Sequence, residues 1–155
     1  MIKKEDKMDR TKSAVEKFVG GYNCSQAVLS AYCDLYGLDE VTAFKLAEGF
    51  GLGMGGYKDE CGAVTGMFMV LGLANSDGDL GKGSSKLDTY GKLREAGKKF
   101  EEEFGTLMCR DLLRKERELK AEATPETLAA ANGKNLICIQ CVECAAKILA
   151  ETLGL

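Results

Sequence analysis

Seven cysteines, Cys24, Cys33, Cys61, Cys109, Cys138, Cys141 and Cys144, stand in a chain that has no histidine. Any chemistry built on them must run on sulfur without imidazole help. That removes Ser-His and Cys-His hydrolase arrangements, His-ligated zinc catalysis and His-ligated haem together. Four of the thiols fall where a helix is expected to begin. Cys24 follows Asn23, an N-cap residue type; Cys61 follows Asp59-Glu60; Cys109 lies three residues after Thr106; Cys138 opens the last helical segment. The first turn of a helix offers unpaired N–H groups and about half a positive charge, which favours thiolate over thiol. Four such turns meeting in space would make a site for a redox disulfide pair or an anionic metal–sulfur cluster. Taken singly, each of these cysteines serves equally well as a small buried hydrophobe. Cys33, inside a helix on an apolar stripe, is expected in the core.

The run Cys138-Ile-Gln-Cys141-Val-Glu-Cys144 opens like a ferredoxin iron–sulfur motif, but its fourth cysteine and proline are missing. On a regular helix positions 138 and 141 share a face, while 144 sits ~120° from 138. One helix therefore cannot aim all three at one small cluster. Cys138 with Cys141 as a first-turn redox pair fits better, because C-x-x-C at a helix start favours a reactive first thiol.

The elements that must position these thiols are helical nearly throughout. The apolar spacing predicts helices over residues 4–19, 24–36, 40–48, about 60–73, 86–104, 106–113 with a continuation toward 120, 125–132 and 137–153. Gly20-Gly21, Gly37, Gly105 and Asn132-Gly133 are the expected stops, and Asn23, Asp39, Thr106 and Thr124 the expected caps. Ala27, Val28, Ala31 and Leu35 form the apolar stripe of the second helix. No segment alternates with a strand's period of two. The class is all-α, a single-domain bundle of six to eight helices over residues 1–155, with no internal repeat and no linker long enough to divide it.

Two glycine motifs carry no ligand. Gly51, Gly53 and Gly56 satisfy G-x-G-x-x-G, yet a helical pattern precedes them where a dinucleotide site needs a strand. They read instead as a tight backbone passage delivering the chain to Cys61. Gly81-Lys82-Gly83-Ser84 imitates a phosphate loop, but glycine separates lysine from serine. Gly62 and Gly66, four apart on a helix, would let a neighbouring backbone approach closely. Met54, Met67 and Met69 are expected in the core or lining a pocket, and Glu101-Glu102-Glu103 on a solvated face.

A net charge of −3 argues against nucleic-acid and anionic-membrane surfaces, which want clustered basic charge. The longest apolar run, residues 62–74, is too short to span a bilayer. No apolar stretch follows the N-terminal lysines, so no signal peptide is expected and a cytoplasmic location is. In that reducing compartment cysteines are more often metal-binding or catalytic than structural.

The motifs Tyr22-Asn-Cys24-Ser-Gln-Ala-Val28, Gly55-Gly56, Cys61-Gly-Ala-Val-Thr-Gly66, Phe104-Gly-Thr-Leu-Met-Cys109-Arg-Asp-Leu-Leu113 and Cys138 ahead of Val142, Ala145, Ala146, Ile148 and Leu149 follow one another in order. Over about Tyr22 to Leu153 the chain resembles the C_GCAxxG_C_C family of redox-active proteins, which carries four cysteines and a C-G-A-x-x-G motif. The resemblance implies that Cys24, Cys61, Cys109 and Cys138 are the family's four, leaving Cys33, Cys141 and Cys144 as extras. The chain is also distantly similar to the N-terminal part of split-Soret cytochromes, where the domain accompanies an iron–sulfur centre. Their haem half does not carry over, since there is no C-x-x-C-H and no axial histidine.

The expected function is therefore thiol–disulfide exchange or electron transfer through Cys24, Cys61, Cys109 and Cys138, with Arg110 helping to hold a thiolate at Cys109. The alternatives are an iron–sulfur cluster or zinc on the same four cysteines, and a helical interaction module with inert thiols. The redox partner is unidentified and a homodimer stays open.

Overall fold

Side-chain caps set the starts of four helices locally. The structure, a computed structural model, describes residues 8–82 and 84–155. Asp9 caps α1 (Arg10–Val19) by accepting from the Lys12 N–H at 3.0 Å. The expected start at Lys4 lies outside the described residues; Met8 and Asp9 are not helical, so the helix begins later than its apolar pattern suggests. α2 (Cys24–Ser30) opens with a full capping box. Asn23 accepts from the Gln26 N–H, and the Gln26 side chain accepts from the Asn23 N–H, both at 2.9 Å. Asp39 caps α3 (Glu40–Glu48) through the Thr42 N–H. Then follow α4 (Gly62–Asn75), α5 (Lys86–Phe104), α6 (Cys109–Leu113), α7 (Glu116–Glu122), α8 (Pro125–Ala130) and α9 (Leu136–Leu153). Thr124 caps α8, with Pro125 in the first turn. The chain is all-α; among the described residues the one β-type pairing is an isolated antiparallel bridge, Glu60 with Met108. No helix among them is long and apolar enough to cross a membrane.

Three local expectations need correction. The second helix stops at Ser30, and Cys33–Tyr36 is a separate 3-10 turn closed by left-handed Gly37. At the break Tyr32 turns inward and its hydroxyl donates to the Ala146 carbonyl at 2.7 Å. This leaves Leu35 exposed, off the stripe of Ala27, Val28 and Ala31. Thr106 does not cap α6. Its hydroxyl accepts from the Met108 N–H and donates to Asp111, and the helix starts only at Cys109. The helical segment beyond Cys109 is broken between α6 and α7 at Arg114 and Lys115.

The core lies between α2, α4 and α9, with α1 and α5 packed around them. Val28, Val64, Met67, Val70, Val142 and Leu149 are fully buried there. Glycines decide how close α2 comes to α4. A Cβ at Gly66 would sit 2.9 Å from the Ser25 carbonyl oxygen, and one at Gly62 3.1 Å from the Cys24 Cβ. Only glycine allows that approach, which brings the first turns of both helices together.

The stretch after α3 is a left-handed turn. Leu52, Gly53 and Met54 all have positive φ (52°, 62° and 72°), and Gly55 follows at 69°. Left-handed backbone costs a non-glycine residue about 1–2 kcal/mol, so Leu52 and Met54 are held there by their surroundings. The turn packs Gly53 against Lys58, Asp59 and Cys109. Met54 is consequently exposed, in contrast to fully buried Met67.

Candidate functional site

Four structural devices bring the helix-start thiols together. Cys24 is the first residue of α2, behind the capping box. Cys61 is the N-cap residue of α4 and Cys109 the first residue of α6. These two are set side by side by the short antiparallel pairing. The Cys61 N–H donates to the Leu107 carbonyl at 2.9 Å, and the Cys109 N–H to the Asp59 carbonyl at 2.6 Å. Cys138 lies in the first turn of α9, and Cys141 one turn further along the same face. All five line one cavity of about 250 Å³, walled by Phe18, Leu52, Leu112 and Leu113 and edged by Lys134 and Asn135. Cys33 and Cys144 are elsewhere: Cys33 is buried with its thiol donating to the Ser30 carbonyl, and Cys144 lines a surface cleft with Lys99, Glu103 and Lys147.

Within the cavity the sulfurs stand in pairs. Cys24 is coupled electrostatically to Cys138, and Cys61 to Cys141. In each pair loss of one proton makes loss of the second harder, so one thiolate and one thiol share the pair. Cys61 is held below the ordinary thiol range by the Cys141 thiol, against burial, with further help from the Val64 and Ala63 N–H groups at the start of α4. Cys138 is likewise lowered, chiefly by the Cys24 thiol and then, against burial, by the Asn135 side chain. Their partners move the other way: Cys24 and Cys141 are both raised, first by the partner sulfur and then by burial. Cys109 has no such partner, and burial pushes it up to about 11. A place at a helix start therefore does not lower every thiol; burial overrides the helix field at Cys109.

The charges around the site differ from those the sequence suggests. Arg110 is not part of the cavity wall. Its Nε donates to the Lys58 carbonyl at 3.2 Å and its guanidinium pairs with Asp59, half exposed. The nearby cations are Lys58, which acts to lower Cys109, and Lys134, which acts to lower Cys138. Lys134 stands 5.2 Å over the Phe18 ring. Opposing it is Glu116, a buried carboxylate that accepts from the Leu136 and Ile137 N–H groups, both at 2.8 Å. Glu116 thus caps α9 from α7 and raises Cys138. Among the described residues no three cysteine or carboxylate groups converge as a set of metal ligands.

The residues that assemble this site, from Asn23 in the capping box to the first two turns of α9, lie inside one matched span. Residues 22–152 match the family described as "Putative redox-active protein (C_GCAxxG_C_C)". The chain belongs to the C_GCAxxG_C_C family. No curated protein and no solved structure matches it. Of the family's motifs, Cys61-Gly62-Ala63-x-x-Gly66 now has a physical meaning. The cysteine occupies the N-cap position of α4, and the two glycines admit α2.

Lys134 is a site residue that sequence reasoning passed over, and Cys141 is one that it first paired with Cys138 and then set aside as an extra. The signal for Cys141 was present in its three-residue spacing from Cys138, which the four-cysteine pattern of the C_GCAxxG_C_C family outweighs. Nothing local marks Lys134, whose place depends on how α8 hands the chain to α9.

Proposed function

We propose that this C_GCAxxG_C_C protein is one helical domain that works by thiol–disulfide exchange in a reducing, cytoplasmic setting. The carrying observation is that Cys24, Cys61, Cys109 and Cys138, from four separate elements, line one cavity, with Cys24 and Cys138 coupled electrostatically. Cys138 supplies the thiolate and Cys24 the proton. The Cys138 thiolate attacks a disulfide RSSR, forming a Cys138–SR mixed disulfide and releasing one RS⁻. Cys24 then gives up its proton and attacks the Cys138 sulfur. A Cys24–Cys138 disulfide forms and the second RS group leaves as thiol, so two electrons pass from protein to RSSR. The reverse sequence reduces the protein. The mixed apolar and cationic wall suits a small organic disulfide or the exposed disulfide of a protein partner.

Thiol alkylation and mass counting, on protein poised at graded ratios of reduced to oxidised dithiothreitol, tests this. The expected result is reversible loss of thiols at Cys24 and Cys138. Thiols that never disappear reversibly would overturn the reading. So would stoichiometric iron or zinc in protein purified without oxygen, because the same sulfurs are soft donors.

A further inference from the structure

We propose that Cys141 makes this a two-dithiol site, in which a buried inner pair, Cys61–Cys141, exchanges disulfide with the outer pair, Cys24–Cys138. The inference rests on the thiol–disulfide reading above and extends it to a cysteine outside the family's four. Three observations carry it. Cys141 lines the same cavity as Cys61, on a helix, α9, that packs directly against α4. The pairs differ in access: Cys61 and Cys141 are 5% and 1% exposed, whereas Cys24 and Cys138 are each partly exposed. The pairs also adjoin. Cys24 stands against the first turn of α4, where a Cβ at Gly62 would be 3.1 Å from its own Cβ, and Cys138 is one helical turn from Cys141.

Access then fixes the order of events. An oxidant disulfide too large for the cavity meets only the outer pair and leaves it as the Cys24–Cys138 disulfide. The Cys61 thiolate attacks the Cys24 sulfur, the Cys24–Cys138 bond breaks, and Cys138 departs as thiolate, the better leaving group of that pair. Cys141 then attacks the Cys61 sulfur. The Cys61–Cys24 bond breaks and Cys24 takes the proton that Cys141 loses. The products are a Cys61–Cys141 disulfide, a Cys24 thiol and a Cys138 thiolate, so two electrons have moved outward and the outer pair can accept a second oxidant. Saturated, the protein holds two disulfides and has released four electrons.

Oxidation of the full chain by excess glutathione disulfide, followed by alkylation and disulfide mapping, tests it. Four of the seven thiols should disappear in the native protein, as Cys24–Cys138 and Cys61–Cys141. In Cys141→Ala two should disappear rather than four. In the double variant Cys24→Ser/Cys138→Ser, checked as folded by circular dichroism, the inner pair should stay reduced under glutathione disulfide yet close under diamide, a small permeating oxidant. Loss of only Cys24 and Cys138 in the native protein overturns the inner pair and leaves the simpler reading standing. Closure of Cys61–Cys141 by glutathione disulfide in Cys24→Ser/Cys138→Ser overturns the relay. Loss of no thiol overturns both.

Discussion

Cys141 and Cys33 are equally hidden, at 1% and 3% exposure, yet they live in different chemistry. Cys141 is coupled electrostatically to Cys61, whereas Cys33 donates to the Ser30 carbonyl inside its own turn. Cys144 makes the same contrast along one helix. It lies one turn beyond Cys141 but around the axis, beside Lys99, Glu103 and Lys147. Burial therefore does not separate reactive thiols from packing thiols in this fold. Neighbours do, and these are assigned by helix starts: every helix that contributes a cysteine to the cavity contributes it from its first two turns. The sharpest way to break the comparison is to remove one thiol from each group. Cys24→Ser should abolish reversible closure at Cys138, a complete loss by thiol counting. Cys33→Ser and Cys144→Ser should leave the redox titration as it is. An effect of Cys144→Ser as large as that of Cys24→Ser would dissolve the distinction.

The second test moves from the sulfurs to the backbone that delivers them. Gly53 has φ +62°, and a Cβ there would stand 2.6 Å from the Lys58 Cα and 2.7 Å from the Cys109 Cβ. Gly53→Ala should destabilise the fold by about 2–4 kcal/mol, from overpacking and left-handed strain together. It should also speed alkylation of Cys109, whose wall it pushes aside. Gly72, on the far half of α4, has nothing within 4 Å and no positive φ. Gly72→Ala should stabilise by about 0.5–1 kcal/mol, the helix gain over glycine. Urea midpoints of the two variants should move in opposite directions, and only Gly53→Ala should touch thiol reactivity.

Much of this was legible before any coordinates, because much of it is local. Asn23, Asp39, Thr124, Gly37 and Gly105 mark helix ends through contacts within a few residues, and Cys24 is at a helix start for the same reason. What sequence reading misses is long-range. Arg110 follows Cys109 directly, but Asp59, 51 residues away, turns it outward. Glu116 caps α9 from 20 residues upstream, a role no cap motif announces. The partner of Cys141 depends on α4 packing against α9. The left-handed turn is hidden for another reason, since two of its residues, Leu52 and Met54, are types that avoid that conformation.

A pH scan sharpens the contrast at smaller amplitude. Burial raises Cys109 from 9.0 to about 11. Below pH 9 the thiol is neutral in both folded and unfolded chains, so its contribution is fully present. Between pH 9 and 11 the unfolded chain ionises first, and stability falls as pH rises, by up to about 2 kcal/mol for this thiol. Cys109→Ala should lose less than the native protein over that interval, measured by urea midpoints at pH 8 and 11. Cys144 is also pushed up to about 11, but it is partly exposed where Cys109 is buried, so Cys144→Ala should change the alkaline slope less. Equal slopes for the two variants would mean that the cavity gives Cys109 no special seclusion.

The smallest effect concerns which cation serves the site. At Cys138 the Cys24 thiol and Asn135 outweigh every distant charge; Glu116 then raises the thiol and Lys134 lowers it. Removing Lys134 should therefore shift the pH midpoint of Cys138 alkylation upward by under a unit, while Glu116→Gln should shift it downward. Arg110→Ala should leave it alone, since that guanidinium is spent on Asp59 and the Lys58 carbonyl. Iodoacetamide rates at Cys138 against pH, in the Cys24-containing protein, separate the three. An upward shift in Arg110→Ala with none in Lys134→Ala would return the cationic role to the residue next to Cys109. It would also mean that the outer pair is tuned from the α6 side of the cavity rather than from the start of α9. The sign at Glu116 is an independent check. A carboxylate that caps α9 withdraws two N–H groups from the field at Cys138, so its neutralisation should favour the thiolate even as it weakens the cap.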